Sequence, residues 1–561
     1  MAWIVAGVAV GVAAIFAIIA IIFIVFHPSS REAINGIVSV ISALATIIAL
    51  IVAIIALVVA IWGNGVLCIP SCPTPSPTPS PSPSCSNGIC VNQAKDGQFI
   101  GITDGHDDFS DWNTGDIGRV KNLIYRENQG ITNKPHMTLV VATTPSDADD
   151  DLQGAYVFQR EAAARNNCPL PHKNSGGCLR VRLLIANTGK DSADAMIVAQ
   201  QILLVKQTDP TFAGVMGWPD STSDAKYAIQ YLGRNSVLMV SPSASSDAFT
   251  GISPFFFRVA PLDSAQGSLA AHYVQSNLQA NTVAIFYSPN LPYSVTLESN
   301  FKEQFDKPGK RVIPESFPRG DDLDKRSVAI KNNLGDALKS SPDLIYCACY
   351  SDDLNSLIND VRTSNEPNLQ IMAGDAAYQP ENFIGSNYRN LFFTSFAFPD
   401  EWGASIPDPC TSNGYSSLPA ALHAKQFYCN YANDFDPSPR RHLDKPYGYD
   451  RADSDAILSY DATTVLAWGY VRADEKEEDV QKVLLGSGAN SCSGFQGVSG
   501  AISFGLDGNP VQKVILLLSV DGDHNTHQEG ISRGNAYQEG ISQIVLQATD
   551  LQNLCNPIDN P

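Results

Sequence analysis

The sequence predicts an α/β protein of two lobes, each an open parallel sheet covered by helices, with a hinged cleft between them and two transmembrane helices ahead. Three observations carry the prediction of the lobes. From residue 136 on, short apolar runs alternate with amphipathic stretches, the pattern of βαβ units. The alternation pauses at FFFRVAPLD, residues 255–263, and then restarts, which divides it into two sets. Two apolar runs of the first set end in hydroxyl clusters, GWPDSTS at 217–223 and SPSASS at 241–246. In an open α/β sheet a ligand lies beyond the carboxyl ends of the strands, so these two ends form a polar shelf where one is to be sought.

The anchor comes first in the chain. Residues 2–26 and 37–62 carry no charge over 25 and 26 positions, each long enough to cross a bilayer as a helix. A cleavable signal is disfavoured, because no Lys or Arg precedes the first run and no small-x-small site follows it. Arg31 is the only basic residue before Lys95, which places the loop between the spans in the cytoplasm and the remainder outside. Domain 1–63 is thus a membrane anchor, and 64–94 a linker. The linker's PTPSPTPSPSPS at 73–84 cannot pack a core and forms a polyproline II spacer of about 37 Å at roughly 3.1 Å per residue. Outside the cell, Cys68, Cys72, Cys85 and Cys90 favour disulfides over zinc.

Residues 95–135 read as an extension with an apolar run at 99–102 and a helix at 117–127. Its acidic run at 104–116 lacks EF-hand spacing and reads as a solvated loop. The lobes occupy 136–527, and 528–561 is a tail. In the first set, strands are expected at 137–145 and 179–186 and helices at 152–166 and 192–206, followed by the 212–216 and 236–240 runs that lead to the shelf. In the second set, helices at 266–278, 295–305, 327–340 and 353–363 alternate with strands at 282–287, 311–317, 343–349 and 369–373. The rest of the chain returns to the first lobe, so the hinge has more than one strand.

Composition narrows the partners. With 57 Asp plus Glu against 37 Lys plus Arg, the formal charge of −20 repels nucleic acid and anionic lipid. Enzyme signatures are absent: GVSGA misses the GxSxG elbow, TGKDS lacks the P-loop's earlier glycine, and no HExxH occurs. HNTH at 524–527 reads as part of a surface tail rather than a metal site. No cofactor is implied.

The order of LRVRLLIANTGKDSADAMIVAQQIL, GWPDSTS, SPSAS, FFFRVAPLDSAQG, VAIFYSPNLPYS, AGDAAY, SYDATTVLAWGY and GVSGAISFGLDGNP resembles the type I periplasmic binding protein family. The likeness is to its leucine/isoleucine/valine-binding branch and to amino-acid receptor ligand-binding domains, and it covers roughly 137–521. It implies two Rossmann-like lobes that close on a ligand. In such proteins the first-lobe strand ends hold the ligand carboxylate, a role that falls by position to Thr222, with Ser221 or Ser223 assisting, and to Ser243 and Ser245. The alternative is that these residues are helix caps and turn residues. The ligand ammonium is assigned to the second lobe: Asp375 after a strand end, Tyr293 in the place of the cleft tyrosine, and Asp263, which either joins them or caps the next helix. Ser294 stands where a glycine usually follows that tyrosine. Trp218 and Tyr378 either line the ligand's side-chain pocket or, the preferred reading, are ordinary packing; Arg258 reads as structural, and Asp147, Asp149, Asp150 and Asp151 as a solvated run in preference to a site for a cation. Cys168 with Cys178 and Cys410 with Cys429 are plausible disulfides, whereas Cys347 and Cys349, alternating on one strand, are not expected to bond to each other.

The function implied is that of a membrane-anchored extracytoplasmic solute-binding protein that takes up a small polar ligand, an amino acid, and hands it to an ABC permease. The alternative is a ligand-sensing ectodomain that signals through a partner membrane protein.

Overall fold

The computed structural model describes residues 89–106, 109, 112, 115–131, 134–163, 170, 172, 178–320, 322–378, 388, 390–398, 420–435, 452–486, 494–511 and 513–520. The spans predicted at 2–26 and 37–62, the 73–84 spacer, Cys68, Cys72, Cys85, Cys168, Cys410, HNTH and the 528–561 tail lie outside them. Among the described residues no helix is long and apolar enough to cross a membrane.

The first lobe contains β1 (Val91–Gln93), β2 (Phe99–Thr103), α1 (Gly115–Gln129), β3 (His136–Thr143), α2 (Ala148–Ala163), β4 (Arg180–Asn187), α3 (Ala195–Thr208), β5 (Phe212–Gly217), α4 (Ser223–Arg234), β6 (Met239–Ser241) and β7 (Phe256–Arg258). Its sheet runs β1-β2-β4-β3-β5-β6-β7. β3 lies at the centre, parallel to both β4 and β5, and it is apolar because both faces are covered. Leu139 and Val141 enter a core shared with α2, and Val140 and Ala142 enter one shared with α3 and α4. The expected all-parallel sheet is mixed instead: β2 pairs antiparallel with both β1 and β4, so residues 91–103 extend this sheet by two strands.

The second lobe is built from α5 (Asp263–Ser276), β8 (Thr282–Tyr287), α6 (Pro292–Phe305), β9 (Arg311–Ser316), α7 (Leu323–Leu338), β10 (Leu344–Ala348), α8 (Ser351–Thr363), β11 (Gln370–Ala373) and β12 (Leu391–Ser395). The chain then returns to the first lobe as α9 (Ala420–Phe435), α10 (Ser454–Arg472), α11 (Glu477–Gly486) and the hairpin of β13 (Phe495–Gly497) with β14 (Gly500–Ile502). The last described strand, β15 (Leu516–Ser519), belongs to the second lobe, antiparallel to β12, giving the order β15-β12-β11-β10-β8-β9. Among the described residues the chain passes between the lobes at three places, near 259–262, 395–398 and 511–515.

α10 supplies much of the first lobe's core and lies across α2. A Cβ on Gly154 would stand 2.2 Å from the Ala456 carbonyl oxygen, so the glycine permits this close crossing. Asp461 on α10 accepts the backbone N–H groups of Val498 and Ser499 at 2.7 and 2.8 Å, which pins the β13–β14 hairpin to the helix. Arg258, wholly buried, ties the hinge: its Nε donates to Asn509 Oδ1 at 2.8 Å and its NH1 to the carbonyls of Ala244 and Ser246 at 3.1 and 2.7 Å. Its structural reading stands.

Cys347 and Cys349 are bonded to each other, contrary to the expectation from strand alternation. Strand β10 stops at Ala348, and beyond it the chain is drawn in, leaving the two Cα atoms 5.2 Å apart, within disulfide reach. Cys90, Cys178 and Cys429 are also disulfide-bonded.

Candidate functional site

A cleft of about 400 Å³ opens between the lobes at the carboxyl ends of their strands, a size suited to a small solute. The first lobe brings Ser146 and Asp147 from the β3 end, Lys190 and Asp191 from the β4 end, Asp220 and Ser221 from the β5 end, Ser243 and Ser245 from the β6 end, and Asp455 from the start of α10. The second lobe brings Tyr293 from α6, Arg319 from the β9 end, Tyr350 and Asp352 at the start of α8, and Asp375 after β11.

The shelf forms because the backbone turns sharply after β5. A Cβ on Gly217 would meet the Ala142 carbonyl oxygen at 2.1 Å, so only glycine lets β5 run this close to β3 there. Its φ of 144° is also glycine's territory. Of the five hydroxyl residues assigned to the shelf, Ser221, Ser243 and Ser245 line the cleft. Thr222 does not: its hydroxyl accepts the Ala225 N–H at 3.2 Å and caps α4. Ser223 is the exposed first residue of that helix and also stands off the cleft. Ser221 Oγ accepts the Ser246 N–H at 3.1 Å, which bridges the two strand ends and leaves its own proton to donate.

On the second lobe, Tyr293 and Asp375 meet. The phenol donates to Asp375 Oδ1 at 3.0 Å, and Gln266 Nε2 donates to the same oxygen at 2.8 Å. Gly374 allows this contact, since a Cβ there would lie 2.3 Å from the Tyr293 hydroxyl. The Tyr293 ring stacks on Tyr350 with centroids 5.2 Å apart. Asp263 is wholly buried behind the cleft, where its carboxylate accepts from Gln266 Nε2 at 2.7 Å and Thr296 Oγ1 at 2.5 Å. It holds Gln266, and through it Asp375, and does not line the cleft. Trp218 and Tyr378 are buried in the cores of the first and second lobes and do not line the cleft, so of the two readings packing is the one the structure shows.

The structure adds residues that had no assigned role. Arg319 joins the lobes across the cleft: its NH2 meets Asp191 Oδ1 of the first lobe at 3.1 Å, and its NH1 meets Asp352 Oδ1 at 3.1 Å and Asp353 Oδ2 at 2.7 Å. Its guanidinium also lies 4.5 Å over the Tyr350 ring. Asp147, read as part of a solvated run, lines the cleft, and Asp151 of the same run is fully buried under α10, accepting from Ser459. Asp191 and Asp220 follow the ends of parallel strands β4 and β5 as Asp375 follows β11, so the argument that singled out Asp375 applies to them equally.

Burial shapes the charge of this site. Loss of solvent pushes the Asp147 and Asp375 carboxyls up to about 6, with nearby hydroxyl, amide and phenol donors partly offsetting the rise. Asp220 and Asp455 are raised well above the ordinary range, first by burial and then by neighbouring aspartates. Part of Asp220 remains open to the cleft, but its Oδ2 is shut off from solvent and has no hydrogen-bond partner.

Solved structures share this arrangement of lobes and cleft. A leucine-binding protein, LivK, of Thermotoga maritima superposes with a TM-score of 0.52 at 21% identity, over 69% of this chain and 95% of its own. The branched-chain amino acid transporter substrate-binding protein LivJ of Streptococcus pneumoniae, in complex with isoleucine, gives 0.53 at 19% identity, over 69% and 97%. The chain has the type I periplasmic binding protein fold. The family model for the receptor family ligand binding region matches residues 171–367, which run from the first lobe through the hinge into the second. Within the type I fold, ligand chemistry varies: an ABC transporter solute-binding protein of Rhodopseudomonas palustris, in complex with p-hydroxybenzoic acid, superposes at 0.52 with 14% identity, over 73% and 100%. No curated protein matches this chain in sequence.

Proposed function

We propose that the chain is a solute-binding protein whose lobes close on a small polar ligand bearing an ammonium group, an amino acid, and deliver it to an ABC permease. The observation that carries the reading is the apposition across one cleft of the Tyr293–Asp375 pair on the second lobe and the Ser221, Ser243 and Ser245 hydroxyls on the first. Carboxylate and phenol oxygens accept from an ammonium, and serine hydroxyls donate to a carboxylate. A ligand bridging both sets stabilises the joined lobes because it reaches both only there. The apolar spans 2–26 and 37–62 support an anchor that holds the cleft on the extracytoplasmic side.

The match to a receptor ligand-binding region favours one second reading, a sensor ectodomain in which closure is passed to a partner membrane protein. Thermal melting of the full chain against amino acids, amides, sugars and aromatic acids tests binding, because a ligand taken by the native state alone raises the melting temperature. Co-purification with a permease supports delivery, and co-purification with a kinase or cyclase supports sensing. A full panel without a shift would refute solute binding.

A further inference from the structure

Resting on that reading of the cleft, we infer that its ligand carries two cationic groups, as a basic amino acid or a diamine does, and that each lobe holds one of them. Six aspartates line the cleft against two cations, Arg319 and Lys190. Arg319 is committed to Asp191, Asp352 and Asp353, and Lys190 is exposed. The remaining four, Asp147, Asp220, Asp375 and Asp455, form no ion pair among the described residues.

These four fall into two groups. On the second lobe the Asp375 carboxylate accepts from two neutral side-chain donors, Gln266 and Tyr293, and has no cationic partner among the described residues, as a carboxylate prepared for one further cation does. On the first lobe Asp147, Asp220 and Asp455 come from three separate elements. Asp147 there has only the hydroxyls of Thr144 and Ser146, while Asp220 Oδ2 is buried and unpartnered. Burying an unpaired carboxylate is costly, and a cation beside it removes much of that cost. Burial raises both the Asp147 and the Asp375 carboxyl, in keeping with carboxyls held out of solvent without a cation.

A neutral zwitterion brings as much negative charge as positive, so it answers one group and leaves the other unmatched. A lone carboxylate, such as a benzoate, is repelled by both. A basic amino acid places its α-ammonium and its distal cation on the two groups, with its carboxylate toward Ser221, Ser243 and Lys190. A diamine does without that last contact.

The test is isothermal titration of the full chain with lysine, putrescine, leucine and 4-hydroxybenzoate at pH 7.5, repeated with Asp220→Asn. Lysine or putrescine is expected to bind at least about tenfold more tightly than leucine, the effect of roughly one added charge-assisted hydrogen bond. Asp220→Asn is expected to weaken the cation about tenfold. Preference for lysine over putrescine identifies a basic amino acid, and the reverse a diamine. Leucine binding as well as lysine and putrescine would overturn the inference while leaving the solute-binding reading standing, as would Asp220→Asn without effect on the cation. Absence of binding across the panel would overturn both. Melting curves of Asp220→Asn separate loss of binding from loss of fold, since the carboxamide is isosteric.

Discussion

Replacing Asp151 by asparagine is expected to flatten the dependence of stability on pH. Asp151 lies on α2 with no exposed surface; Oδ1 accepts from Ser459 of α10, and Oδ2 has no hydrogen-bond partner. Burial, reinforced by Asp147, raises its carboxyl from 3.8 to about 8. Between those values the native protein keeps a proton that the unfolded chain has released, so stability from this group is fully present below about pH 4 and is lost as pH rises to about 8. At about 1.4 kcal/mol per pH unit, levelling off near the native value, the loss between pH 5 and pH 8 is roughly 3–4 kcal/mol. Asparagine keeps an oxygen to accept from Ser459 and cannot ionise. The assay is urea unfolding of parent and variant at pH 5 and pH 8, followed by intrinsic fluorescence. Asp263 and Asp453, raised to about 8 and about 7, titrate in both proteins, so the difference between the two pH intervals reports Asp151 together with Asp220 and Asp455, whose carboxyls its charge raises. Parallel pH profiles for parent and variant would refute the argument, because they would mean that Asp151 titrates alike folded and unfolded.

Three further outcomes follow from the cleft. Gly374→Ala sets a Cβ 2.3 Å from the Tyr293 hydroxyl and 2.6 Å from Leu297 Cδ2, and is expected to cost about 1–3 kcal/mol as overpacking, read as a lower melting temperature. Tyr293→Phe removes one donor that lowers the Asp375 carboxyl, so the pH below which a cationic ligand is released should move upward from about 6, with affinity at neutral pH falling by roughly 1 kcal/mol in titration calorimetry. Arg319→Met strips the buried Asp353 of its nearer cation, although Arg326 stays 3.3 Å away, and is expected to cost roughly 2–4 kcal/mol in urea unfolding. The bond to Asp191, one-third exposed, adds less than about 1 kcal/mol, but its loss frees the mouth of the cleft and should speed ligand release in stopped-flow measurements.

The lobes were legible because their central strands are buried on both faces and therefore read as continuous apolar runs. The run at 282–287 coincides with β8, and 137–145 contains nearly all of β3. The antiparallel strands β1, β2 and β15 were not assigned as strands, since at three to five residues each they are too short to show an alternating pattern. Within the shelf, one position separates a hydroxyl that caps a helix, Thr222, from one that faces the cleft, Ser221; that phase depends on where α4 begins. Asp191 and Asp220 were within reach of the rule used for Asp375, but they stood in stretches already read for their glycines and hydroxyls. Asp147 was obscured by its run of acidic neighbours, which fold to different depths along α2.

The three passages between the lobes also bear on the order in which the protein can be made. The second lobe's sheet has β12 as an open edge until residues 516–519 arrive, and the first lobe lacks the helix across α2 until 454–472 are in place. Neither half can finish its core while the chain is still being synthesised beyond the hinge, so apolar strand surface waits uncovered until those later segments are made. A chain stopped short of residue 516 would keep the whole cleft-lining set and yet present β12 as a bare strand, ready to pair with another copy of itself.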